Sequence, residues 1–181
     1  MKRSLKNKKK SKSGALFKDF ILGGQDGLVE VLGLSLGLGV VTQDPRLVVI
    51  AGLAATFSES ISMGAVAYTS SKAEGDYYES QKKKFSYLVS PIKSAFVVLI
   101  ASIIGSLIPL SPFFFVNSSF SIVSAMWLAV ILAAITLFVV GALEAKFTVG
   151  SWLRKGFTMV IIGLGAAFIG FLIGKLSGYH P

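Results

Sequence analysis

The chain contains no cysteine and a single histidine, His180, at its far end. Disulfide frameworks, thiolate metal sites and thiol catalysis are therefore excluded. With no histidine in the apolar part, a tight Zn²⁺ or Cu²⁺ site is disfavoured. Charge is also scarce: 15% of residues are charged against 53% hydrophobic, and the mean hydropathy is +0.72. That balance belongs to integral membrane proteins and not to soluble domains. No nucleophile–base pair or histidine-rich cluster is visible, so neither enzymatic activity nor a cofactor is expected. No internal repeat argues for an inverted-repeat architecture.

What is present is strongly patterned. Acidic residues number 9 against 18 basic ones, giving a formal charge of +9. Eight bases crowd the first 18 residues: Lys2, Arg3, Lys6, Lys8, Lys9, Lys10, Lys12 and Lys18. No folded domain follows that could read bases, so nucleic acid is not expected as a partner. The tail reads as a basic segment facing membrane lipid. It does not read as a cleavable signal peptide, because the basic region is long and the apolar run after it carries acids.

Five apolar stretches, about 18–41, 47–71, 92–112, 120–145 and 153–176, are long enough to cross a hydrocarbon core of roughly 30 Å. The expected fold is all-α: a basic tail over 1–17 and a transmembrane domain of five helices over 18–178. Thr42-Gln43-Asp44-Pro45-Arg46 is a tight polar turn, with Pro45 starting the second helix. Pro91, then Pro109, Pro112 and Asn117, then Gly150 mark the later breaks. All basic residues except Arg46 and Lys175 fall in the tail, the 72–93 linker and the 146–155 loop. For five alternating spans this asymmetry predicts a cytoplasmic N-terminus.

Against this apolar background, carboxylates stand out. Asp26 and Glu30 lie one turn apart in the first span, and Gly33 and Gly37 continue the same face. Glu59 and Met63 form a matching stripe in the second span, which continues to Glu74. A charge at the bilayer centre costs at least about 2.5–3.5 kcal/mol on insertion scales. Several in adjacent spans imply a cation passing between helices. Carboxylate oxygens suit divalent ions, and the Met63 thioether shifts preference from Mg²⁺ or Ca²⁺ toward transition metals such as Fe²⁺ or Mn²⁺. Protons compete with metal for clustered carboxylates, which is the physical basis of exchange. The Gly33/Gly37 pair permits close helix approach; if that face met its own copy, four carboxylates would converge. Packing the first two helices as an antiparallel pair would set Asp26, Glu30, Glu59 and Met63 at similar depth. Glu74, Asp76 and Glu79 at the end of the second helix are candidates for capturing metal. Glu144 is expected to pair with Lys146, and Met126, Met159 and Trp127 to serve packing or lipid contact.

The segments Gly24-Gln25-Asp26-Gly27-Leu28-Val29, Ser60-Ile61-Ser62-Met63-Gly64-Ala65 with Tyr68, Ser90-Pro91, Ile108-Pro109-Leu110 and Gly141 to Thr148 resemble the vacuolar iron transporter family over about residues 20–176. The resemblance implies a homodimer of five-helix protomers. It implies divalent metal leaving the cytoplasm by proton antiport, along a path at the dimer interface lined by the first two helices. Asp26 and Met63 would be path residues. The chain departs from the plant-type pattern at Ala67, where a Glu is common; Glu59, two turns earlier, is the candidate substitute. Glu30 adds an acid where a small polar residue is usual. Plant-type members also insert a Glu-rich cytoplasmic domain where this chain has only the 72–93 linker, so capture would fall to Glu74, Asp76 and Glu79. The short form favours a prokaryotic cell membrane, or the vacuolar membrane in a eukaryote. The competing reading is a non-transporting membrane protein whose polar helix faces hold an oligomer together.

Overall fold

Apolar runs of this length must satisfy every backbone polar group internally, and helices do so. The computed structural model describes residues 2–81, 89–148 and 150–177, with side chains from Ser13 onward. Lys82, Lys83 and Lys84 of the linker and His180 lie outside the described residues, as do the tail side chains up to Lys12. The elements are α1 (Lys2–Thr42), α2 (Pro45–Ser80), α3 (Pro91–Leu110), a 3₁₀ turn (Ser111–Phe115), α4 (Ile122–Phe147) and α5 (Trp152–Leu176). There is no strand among the described residues, and five helices are long and apolar enough to cross a membrane. The all-α, five-span architecture expected from hydropathy is the one observed.

Local chemistry sets the boundaries. No proline interrupts α1, so the helix runs unbroken from the basic tail into the first span. Gln43 takes a left-handed φ of 52° and turns the chain. Asp44 then caps α2 by accepting the Arg46 backbone N–H at 2.8 Å, with Pro45 in the first turn, where its missing N–H costs nothing. α2 continues to Ser80, past the apolar stretch and through Glu74, Asp76 and Glu79. Pro109 sits in the last turn of α3, and the chain tightens into the 3₁₀ turn carrying Pro112. The Asn117 side chain accepts the backbone N–H groups of Ser119 and Phe120 at 2.8 and 3.0 Å, an Asx turn that leads into α4.

Leu28, Leu32, Leu110, Phe113 and Leu137 form an apolar core, and small residues fill the helix crossings around it. Much of the interior is small or hydroxylated: Ser35, Thr56, Ser60, Ser94, Ser102 and Ser106 are buried, as are Ala125, Ala129 and Ala133 along α4. Large side chains such as Trp127, Ile135, Ile161 and Ile169 are exposed. Lipid tails solvate Ile as well as a protein core does, so helices associate through close packing of small residues.

α1 touches all four other helices, and its most extensive contact is with α3, which also packs along α2. α1 and α2 do touch, but α3 is wedged against both. Small residues explain the wedge. A Cβ on Gly105 of α3 would lie 2.1 Å from the Gly24 carbonyl oxygen, and one on Gly23 of α1 would lie 2.4 Å from that of Val98. Ser60 of α2 donates to Ser102 of α3 at 2.8 Å in the buried interior.

The turn between α4 and α5 is held by an ion pair. Lys155 Nζ lies 2.7 Å from Glu144 Oε1 and also donates to the Thr148 hydroxyl. The expected partner, Lys146, is exposed. The α4–α5 turn instead folds α5 back beside Glu144 and delivers Lys155. Lys155→Met, which keeps the aliphatic stem, should cost about 1 kcal/mol. A lower thermal unfolding midpoint in detergent, matched by Glu144→Gln, is the expected result.

Candidate functional site

Helical spacing places Asp26 and Glu30 on one face of α1, and both side chains are exposed in the single chain. Glu59 of α2 is half-buried, and both of its carboxylate oxygens are sealed from solvent without a hydrogen-bond partner. The like charges acting on it are those of Glu30 and then Asp26. The structure thus brings Asp26, Glu30 and Glu59 together across the α1–α2 contact. Among the described residues no Lys or Arg pairs with any of them, the one ion pair being Glu144–Lys155. A structural ion pair does not account for these acids.

No three acidic, His or Cys side chains among the described residues close into a metal-binding group. Within one chain the three carboxylates are neighbours but not a finished coordination sphere. Met63, one turn from Glu59, faces elsewhere: it lines a cavity of about 210 Å³ between α1, α2 and α3, with Asp19, Glu74 and Ser94. Glu74, itself exposed, lines this cavity, and Asp76 and Glu79 are exposed further along the α2 extension.

Gly33 and Gly37 are met by α5 of the same chain. A Cβ on Gly37 would lie 2.9 Å from the Gly170 carbonyl oxygen, and one on Gly174 would lie 2.4 Å from that of Gly37. The pair allows close approach, as its spacing suggested, and the helix that uses it here is α5. A groove of about 600 Å³ runs beside this crossing, with Glu30 in its lining.

Two features escaped sequence reading. Asp19 lies seven residues before Asp26 and so shares its face, at the polar edge of the first span beside Lys18. Gly24 and Gly27 read as pieces of a motif, whereas with Gly23 they form the bed for α3. A Cβ on Gly27 would lie 2.5 Å from Ser106 Oγ and 2.6 Å from the Ser102 carbonyl oxygen.

A five-helix membrane protein with unpaired carboxylates gathered across its first two spans is thereby defined. The model of the VIT family matches residues 17–90 and 83–175, and the chain belongs to that family. It is 24% identical to vacuolar iron transporter 1 of Arabidopsis thaliana, the alignment covering 91% of this chain and 87% of that protein. It is 30% identical to vacuolar iron transporter homolog 4 of the same plant, over 94% and 88%, and 27% identical to Protein CCC1 of Saccharomyces cerevisiae, over 88% and 68%. The alignment with vacuolar iron transporter 1 runs over 220 residues, longer than the whole 181-residue chain, so that relative carries inserted residues. The alignment with homolog 4 runs over 178 and needs little insertion. In this respect the chain resembles the shorter form.

Proposed function

We propose that this protein transports divalent transition-metal ions, Fe²⁺ or Mn²⁺, out of the cytoplasm in exchange for protons. The path lies where the α1–α2 faces of two copies meet, with Asp26, Glu30 and Glu59 as its gathered metal-binding groups and Met63, in the adjoining cavity, as a softer ligand beside them. The N-terminus is cytoplasmic, following the concentration of basic residues on that side. Glu74, Asp76 and Glu79 capture metal there. The membrane is the cell membrane in a prokaryote, or the vacuolar membrane in a eukaryote.

One observation carries the reading: Asp26, Glu30 and Glu59 meet in a membrane-spanning region without a basic partner among the described residues. Carboxylates in that setting are expensive unless a cation or proton offsets them. The dimer follows from the same facts. Asp26 and Glu30 are exposed on the flank of one chain, and a second copy would remove them from lipid and double the number of oxygen ligands. Metal and proton then compete for one set of oxygens, so a pH gradient drives metal uphill. The relatives' names, vacuolar iron transporter among them, support iron as cargo.

The test is metal uptake into proteoliposomes under an imposed pH gradient, with Fe²⁺, Mn²⁺, Zn²⁺ and Mg²⁺ compared. Gradient-dependent Fe²⁺ or Mn²⁺ flux is expected from the wild type and none from Asp26→Asn, with the dimer intact in both. Absence of flux from folded wild-type dimer, or a mutant that changes assembly but not metal handling, would support the non-transporting reading.

A further inference from the structure

A cavity of about 490 Å³ lies between α1, α4 and α5, and the transport reading makes no use of it. Its floor is buried and apolar: Leu32 and Leu36 of α1, Met126 of α4 and Ala167 of α5. Trp127 and Phe168 stand exposed as its walls. Gln43, in the turn after α1, marks its polar end. The volume falls in the range of small-molecule sites, about 300–1,000 Å³.

Helix direction fixes the depth of this cavity. α1 and α5 run parallel, because Gly170 meets Gly33 and Gly174 meets Gly37 in the same order. α4 runs opposite to α5 across the turn closed by Glu144 and Lys155. The later halves of α1 and α5 and the first turns of α4 therefore share the half of the membrane away from the basic tail. The glycine crossing also separates this cavity from the groove that Glu30 lines. Leu32 and Leu36 fall to one side of Gly33 and Gly37 on the α1 surface, Glu30 and Leu34 to the other. A second copy seated on the Glu30 side leaves this cavity facing the bilayer.

At this depth there is no water to fill a hollow, and an empty one forfeits dispersion contacts along its whole floor. The molecules at hand are acyl chains. A partner for a headgroup is in register with them. Lys175 lies seven residues after Phe168 and four after Phe171, both of the lining, so it continues their face in the last turn of α5. It is exposed and makes no ion pair among the described residues. We propose that this cavity binds one anionic phospholipid of the leaflet away from the basic tail, with an acyl chain along Leu36 and Met126 and the phosphate at Lys175. The lipid fills the space between α1, which carries Asp26 and Glu30, and the α4–α5 pair. The site belongs to a single chain and goes beyond the transport reading.

The experiment is native mass spectrometry of the delipidated full-length protein in detergent, titrated with phosphatidylglycerol or with phosphatidylcholine of the same chains. One lipid per chain should stay bound at collision energies that strip the rest. Phosphatidylglycerol should bind about fivefold better, the weight of one lysine beside an anionic lipid, and Lys175→Gln should bring the two lipids level. Val123→Trp puts an indole into the groove from an exposed position of its lining. It should remove the retained lipid, and with it the rise in unfolding temperature that a bound lipid gives the wild type. Ile135→Trp, exposed on the same helix but outside the lining, should behave as wild type. Retention by Val123→Trp equal to wild type, a wild type that holds both lipids equally, or a preference that Lys175→Gln leaves intact would overturn the proposal. A wild type that retains no lipid and a Val123→Trp variant that loses its dimer would overturn it too, and make this face an interface between copies.

Discussion

Gly105→Leu is expected to prevent the bundle from assembling. A Cβ there would lie 2.1 Å from the carbonyl oxygen of Gly24 and 2.9 Å from its carbonyl carbon. Both obstacles are backbone of α1, and no rotamer can relieve them. Overpacking against yielding side chains costs about 1–3 kcal/mol; against backbone the helices must separate. That separation would undo the α1–α3 contact and disturb the Ser60–Ser102 bond, and with it the placement of α2 and its Glu59. Gly165→Leu is the matched control. Nothing lies within 4 Å of a Cβ at Gly165, and leucine is the better helix former by about 0.7–1 kcal/mol. The expected outcome in detergent is aggregated or protease-sensitive Gly105→Leu beside a monodisperse Gly165→Leu.

Glu59→Gln should move stability and activity in opposite directions. The Glu59 oxygens are sealed and unpartnered, and the charges that face them are those of Glu30 and Asp26. Leaving a buried polar group unsatisfied costs about 1–3 kcal/mol, more if it is charged. An amide removes the repulsion among three acids and can donate to Glu30. The metal-free protein should therefore unfold at a higher temperature as Glu59→Gln than as wild type. The same change deletes the most enclosed carboxylate of the proposed path, so gradient-driven Mn²⁺ flux should fall by about 10² or more, the scale seen when a preorganised charged group is lost. A variant that transports normally would remove Glu59 from the path. One that loses both stability and flux would assign it a packing role.

The five spans were legible because hydropathy over about 20 residues is a one-dimensional signal that lipid enforces without tertiary information. Asp26, Glu30 and Glu59 were legible for a similar reason: an acid in an apolar run needs an explanation wherever the helix packs. Pairing of helices was not. Gly33 and Gly37 announce a close crossing, but spacing alone does not say whether the visitor is α5 or a second copy. The same ambiguity assigned Glu144 to its sequence neighbour Lys146, when a turn of the chain delivers Lys155. Met63 was grouped with Glu59 because the two share a stripe. A stripe is broad enough to face two compartments, and only packing on α3 directs Met63 into the cavity with Asp19.

The small residues at the helix crossings have a consequence for how this protein tolerates change. In a water-soluble domain the costly substitutions remove volume from the centre, and the outer face accepts almost anything polar. Here added volume at the helix crossings is costly as well, and the outer face accepts apolar residues in place of polar ones. A single methyl added at Gly23, Gly27 or Gly105 meets backbone or a packed hydroxyl. Ile161, Ile162 and Ile169 are exposed on the outer face, and in lipid Leu, Val or Phe would dissolve there equally well. Sequence drift should therefore run freely along the outer faces of α4 and α5, through interchange of one apolar residue for another, while the narrow waist of glycine, alanine and serine inside admits almost none.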